Sequence, residues 1–119
     1  MAIATTKAAY EAYKRAAESK NDRALAELYA DDAELVDINR RTPPASPERV
    51  RGKDAIKTRM DSVQKDLKHQ VFDPVLDDDK MAFSYSCEYP GGQKVFGIHI
   101  CQLRNGKIAK EVITEAWDE

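Results

Sequence analysis

The sequence predicts an α+β protein, helices first and a long antiparallel sheet after. Three observations predict it. Apolar residues recur at helical spacing twice before residue 30 and once more over 53–67. From about residue 69 onward the period drops to two and stays there. The breaks in that second half are turn chemistry: Asp77-Asp78-Asp79-Lys80, Pro90-Gly91-Gly92 and Asn105-Gly106. Helices gathered on one face of an antiparallel sheet are the layer solution for such an order.

The totals fit one domain. A chain of 119 residues is long enough for a single core without staples, with no repeat or low-complexity tract to divide it, so residues 1–119 read as one unit. The net charge of −2 with mixed signs gives no basic footprint for nucleic acid or an anionic membrane surface. No apolar run approaches the length of a spanning helix, and the first residues lack the pattern of a signal peptide. Cys87 and Cys101 fall on different strands and read as reduced packing residues, so a cytoplasmic location is expected.

Thr6 is placed to cap a first helix whose apolar stripe is Ala9, Ala12, Tyr13, Ala16 and Ala17. Ser19-Lys20-Asn21-Asp22 breaks it, and Asp22 is placed to cap a second helix carrying Leu25, Leu28 and Tyr29. A first strand over about 33–38 follows, with Leu35 and Asp37 on one side. The stretch 39–51 carries three prolines, Pro43, Pro44 and Pro47, which exclude helix and central strand; it is a lid or rim, or else a rigid surface loop. A third helix starts at Lys53, with Ile56, Met60, Val63 and Leu67 on one face.

In the sheet, Met81, Phe83, Tyr85, Cys87 and Tyr89 take one face and Ala82, Ser84, Ser86 and Glu88 the other. A three-residue Pro90-Gly91-Gly92 loop pairs Tyr89 with Gln93, Cys87 with Val95 and Met81 with Cys101. The thiols then lie about 20 Å apart, beyond disulfide reach. The same register sets His99 beside Phe83 and Tyr85 on the face the helices must cover. The next strand is apolar on both sides, with Phe96, Ile98 and Ile100 on the far one. Two apolar faces need two covers, so a homodimer through that second face is expected.

The element order, together with Tyr29-Ala30-Asp31-Asp32-Ala33, Arg51-Gly52-Lys53-Asp54-Ala55-Ile56 and Leu103-Arg104-Asn105-Gly106-Lys107-Ile108, resembles the cone-shaped nuclear transport factor 2-like fold: three N-terminal helices packed on a curved antiparallel sheet. Within it the chain looks like the small SnoaL-type group, where polyketide cyclases and ketosteroid isomerases sit beside many members of unknown activity. Ketosteroid isomerases carry a base at the end of the first strand, a tyrosine donor on the first helix and an acid donor on the fourth strand of the sheet. By resemblance these fall on Asp37, Tyr13 and His99. The sequence departs from the pattern in having a histidine in place of the acid and Ile38 in place of a proline after Asp37, so the steroid reaction itself is not implied.

Each candidate has a plainer reading beside the functional one. Asp37 is a base raised in pKa by apolar neighbours, or a strand end meeting solvent or capping the Pro-rich loop. His99 is a proton shuttle or oxyanion donor, or a satisfied core histidine. Tyr13 reaches into a cavity from an alanine-rich stripe, or packs with its hydroxyl satisfied. Ile56, Met60, Phe83, Tyr85 and Trp117 wall an apolar pocket or form ordinary core. His69 reads as solvent-facing or rim, and no ligand spacing links it to His99, so no metal is expected. The expected function is a pocket for an apolar, carbonyl-bearing small molecule, with no cofactor. If catalytic, it is a proton-transfer isomerase or polyketide-cyclase-type enzyme with Asp37 as base and His99 and Tyr13 stabilising an enolate; the alternatives are a non-catalytic binding or dimerisation module and a general-base hydratase or epoxide hydrolase, which would need extra polar groups to hold a water.

The last hairpin decides what His99 faces. A two-residue Asn105-Gly106 turn pairs Arg104 with Lys107 and His99 with Val112; a three-residue loop pairs Leu103 with Lys107 and His99 with Glu111. The longer loop turns Ile113 and Trp117 inward together with Glu111 and Glu115, and the resemblance favours it. Glu111 is then a pocket residue that needs His99 as its partner.

Overall fold

The computed structural model describes residues 2–63 and 66–118. Among them the order is α1 (Ala2–Glu18), α2 (Asp22–Ala26), β1 (Tyr29–Ile38), β2 (Glu48–Arg51), α3 (Lys53–Asp61), β3 (Lys68–Leu76), β4 (Lys80–Glu88), β5 (Lys94–Arg104) and β6 (Lys107–Trp117). The six strands form one sheet in the order β2-β1-β6-β5-β4-β3. It is an α+β architecture, with two corrections to the expected plan. The third helix arrives only after two strands. The sheet is mixed, because β1 runs parallel to β6, its chain having crossed from the helical layer to enter beside the last strand rather than beside β3.

α1 lays its alanine face over β3 and β4, α3 covers β1 and β2, and α2 bridges the two helices. The buried cluster beneath them joins Ala9, Tyr13 and Ala17 to Leu35, Phe83, Cys101 and Ile113. Small residues on α1 bring its backbone close to the sheet, and this lets Tyr10 and Tyr13 pack at a tilt of 56 and 50° against Phe83, ring centroids 5.8 and 4.7 Å away.

Local signals misplace several boundaries. Thr6 is inside α1, fully buried, and its hydroxyl donates to the Asp78 carbonyl at 2.9 Å. Asn21, not Asp22, caps α2: its Oδ1 accepts from the Ala24 N–H at 3.1 Å. α2 is a short turn of helix, and Tyr29 belongs to β1. Part of the Pro-rich stretch becomes β2, an edge strand antiparallel to β1, which the prolines permit because they precede it. The remainder is held down: Asn39 Oδ1 accepts from the Arg41 and Thr42 N–H groups at 2.8 and 3.1 Å. Arg41 lies over the Trp117 ring, 5.4 Å from its centroid. α3 stops at Asp61, so Val63 lies beyond it and is exposed while Leu67 is buried.

The β4–β5 pairing matches the sequence expectation, with Cys87 opposite Val95, Phe83 opposite His99 and Met81 opposite Cys101. Both cysteines are free and buried; burial pushes the Cys87 thiol up to about 11. The β5–β6 hairpin follows neither expected register. Its turn is the two-residue one, with Asn105 and Gly106 both left-handed at φ 54 and 77° and Arg104 opposite Lys107. A bulge then leaves Ala109 unopposed, so Gln102 faces Lys110 and His99 faces Ile113. One extra residue flips the facing of everything beyond it. The short turn and the bulge together turn the row Glu111, Ile113, Glu115 and Trp117 inward, as the longer loop would have done.

Candidate functional site

A cavity of about 250 Å³ opens between α1, the end of α3 and the inner face of the sheet. Its lining mixes apolar side chains (Leu35, Met60, Ile113) with Tyr13, Asp37, Arg59, Tyr85, His99, Glu111, Glu115 and Trp117. That mixture of apolar wall and few convergent polar groups is the usual make-up of a small-molecule site. Ile56 and Phe83 do not line it. Ile56 is buried in the core under α3, and Phe83 stacks on the His99 imidazole from below, 5.0 Å between centroids at 22°.

Glu111 is the centre of the polar network. It is fully buried. One oxygen accepts from the Tyr29 hydroxyl; the other accepts from the Tyr13 hydroxyl at 3.2 Å and pairs with His99 Nδ1 at 2.6 Å. Burial pushes the carboxyl up, but the His99 bond and charge, then Tyr29 and Tyr13, outweigh it and hold it below the ordinary glutamate range. Burial and the Glu111 charge in turn push both tyrosines well up, so they stay protonated as donors.

With Nδ1 directed at the carboxylate, the other ring nitrogen of His99 is left over. Nε2 is the only buried side-chain N or O atom without a hydrogen-bond partner among the described residues. His99 is a lining residue of the cavity, so this unmet hydrogen-bonding atom lies beside the space a ligand would fill.

Asp37 closes β1 on the same wall and is fully buried. Its carboxylate pairs with Arg59 from α3 and accepts from Asn39 Nδ2 at 3.0 Å. Burial pushes its carboxyl up, against the pull of Arg59 and Asn39. Arg59 also donates to Glu48 at 3.1 Å, tying α3 to β2 across the site. Glu115 stands on the inner row of β6, its carboxyl raised by burial and by the nearby Asp37 charge. His69, on β3, meets the Tyr85 hydroxyl at the rim.

The residues singled out in the sequence thus divide. Asp37, His99, Tyr13, Met60, Tyr85, Glu111 and Trp117 converge on one cavity. Tyr13 turns its hydroxyl to Glu111 rather than into open space. Sequence reasoning missed Tyr29 and Arg59. The spacing of Tyr29 from Leu25 matches a helix stripe, although the residue opens β1. The one local sign for Arg59 is a basic residue flanked by the inward Ile56 and Met60. No group of three or more metal-ligating side chains occurs among the described residues, and none of their helices is long and apolar enough to cross a membrane.

Comparison with known proteins agrees with this architecture. A candidate ketosteroid isomerase from Kribbella flavida superposes with a TM-score of 0.80 at 17% identity, covering 98% of this chain and 80% of that one. A nuclear transport factor 2-like protein of unknown function from Mesorhizobium loti gives 0.82 at 16%, covering 96% and 93%. A candidate polyketide cyclase from Sinorhizobium meliloti gives 0.70 at 22%, covering 88% and 92%. At such identities the likeness is one of fold. Among curated proteins none matches. The model of the SnoaL-like domain matches residues 10–111, and with the fold and its neighbours this places the chain in the SnoaL-like family of the nuclear transport factor 2-like superfamily.

Proposed function

We propose that the protein binds an apolar, carbonyl-bearing small molecule in this cavity and moves a proton next to the carbonyl, without a cofactor. The observation that carries the reading is His99, a cavity-lining residue whose buried Nε2 has no hydrogen-bond partner. With Nδ1–H donating its hydrogen bond to the Glu111 carboxylate, an imidazole without a second proton offers its Nε2 lone pair to the ligand. Nε2 takes a proton from the carbon beside the carbonyl, leaving an enolate. The imidazolium so formed is stabilised by the Glu111 carboxylate, and it returns the proton to another carbon for isomerisation. In an aldol cyclisation the enolate carbon instead attacks a second carbonyl of the same molecule, and the proton goes to the new alkoxide.

Asp37 is the second group able to accept a proton here, but its pairing with Arg59 and Asn39 ties up both carboxylate oxygens. That favours His99 as base and Asp37 as the group that fixes Arg59. Tyr13 acts by holding Glu111. The outer sheet face, with Phe96, Ile98 and Ile100, is proposed as a homodimer contact in a cytoplasmic protein.

Native mass spectrometry of protein purified from its own host should find a co-purifying ketone or polyketide, and turnover of that compound separates enzyme from binder. His99→Ala should stay folded and lower turnover by about a hundredfold or more; Asp37→Asn should cost less. If His99→Ala collapses the thermal transition while the folded fraction binds normally, His99 is a core residue and the catalytic reading fails.

A further inference from the structure

Glu115 has no part in that chemistry, yet the fold makes room for it. Directly opposite on β5 stands Gly97, which is buried and is not one of the left-handed glycines. Its backbone would accept any residue, so its missing side chain matters for space. A Cβ at position 97 would lie 3.2 Å from Glu115 Cγ and 3.2 Å from the Thr114 carbonyl oxygen. The glycine lets the Glu115 stem lie across the sheet with its carboxylate at the cavity.

The two fully buried acids of the lining are answered from within the protein. Asp37 has Arg59, and Glu111 has two tyrosines and His99. No lysine or arginine among the described residues forms an ion pair with Glu115, although the His99 and Arg59 charges pull its carboxyl down against burial. Tyr85, Trp117 and His99 line the same cavity, and His99 Nε2 has no hydrogen-bond partner. A half-buried carboxylate with no directly paired cation, beside the Tyr85 ring and a Trp117 ring that already carries Arg41, suits a cationic ligand group and repels an anionic one.

We infer that the ligand of this cavity carries an amine, bound as its ammonium against the Glu115 carboxylate with Tyr85 and Trp117 as aromatic walls. This rests on the cavity being a small-molecule site and adds the class of molecule: an amino-ketone rather than a keto-acid. The neutral part reaches His99 while the ammonium stays near Glu115.

Three probes that share a phenethyl group test it: phenethylamine, hydrocinnamate and benzylacetone, each titrated into the whole protein and followed by amide chemical-shift changes. Phenethylamine should bind tightest and hydrocinnamate weakest. Glu115→Gln should weaken phenethylamine by about tenfold and leave benzylacetone unchanged. Gly97→Ala, which displaces the Glu115 stem while keeping its charge, should weaken phenethylamine as well. The ranking in the unaltered protein decides the matter if either variant does not fold. Benzylacetone binding as well as or better than phenethylamine overturns the inference but leaves the small-molecule site standing. Failure of all three probes to bind overturns both.

Discussion

Glu111→Ala is expected to destabilise the protein by about 3–5 kcal/mol, because removing one partner of a buried charged network strands the others. Three donors lose their acceptor at once: the Tyr13 and Tyr29 hydroxyls and His99 Nδ1–H. Glu111→Gln keeps the shape and one acceptor, and should cost about 1–3 kcal/mol. Denaturant titration of the two variants against the parent measures both. The pH dependence carries a sign. The Glu111 carboxyl is held below its ordinary value of 4.5 in the folded state, so its contribution is full above that value and is lost as pH falls through the lower, folded one. Glu111→Gln should therefore flatten the acid limb of the stability curve. Glu115 has the opposite sign. Its carboxyl is raised, so its contribution is full below the ordinary value and is lost as pH rises through the folded one; Glu115→Gln should relieve a loss on the neutral side. An acid limb equally steep in Glu111→Gln and in the parent would mean that other carboxylates dominate acid unfolding.

Ile98→Asp is expected to have the largest effect on assembly. Phe96, Ile98 and Ile100 are 46, 47 and 54% exposed on the sheet face that no helix covers, and Phe96 meets Phe72 of β3 beside them. An apolar row of this kind is the kind of surface a second copy covers. On a two-fold contact each new carboxylate would be buried at a cost of several kcal/mol, weakening the dimer by at least roughly a thousandfold. Sedimentation velocity should show a dimer for the parent and a monomer, or insoluble protein, for the variant. An unchanged dimeric sedimentation coefficient in both would move the contact to another surface.

Most of the sheet was legible because its signals are short-ranged. Side chains alternate from Met81 to Tyr89, and the Pro90-Gly91-Gly92 loop fixes the register across it, so His99 could be set opposite Phe83 from the sequence alone. The inward position of Asp37 followed in the same way from Leu35. Failures came where one local signal competed with another. Tyr29 continues a helical spacing from Leu25, yet the chain is already in β1 at that point, because burying the ring and satisfying its hydroxyl on Glu111 outweigh one more turn of helix.

By itself the sequence determined which residues share a face: Phe83, Tyr85 and His99 on the covered side, Phe96, Ile98 and Ile100 on the bare one. Tertiary structure decided what meets His99. Asn105-Gly106 forms the short turn its residues prefer, and by that turn alone Lys110 would have gone inside and Trp117 outside. The bulge at Ala109 reverses this. No local signal marks it, because an extra residue in one strand costs little there and is selected by what becomes buried beyond it. That single insertion puts Glu111 beneath two tyrosines and a histidine and Glu115 across from Gly97. In the same way Arg59 reaches Asp37 across 22 residues of chain only because α3 lands on β1. Period and turn chemistry belong to neighbouring residues, whereas the pairing of buried charges belongs to the packed whole.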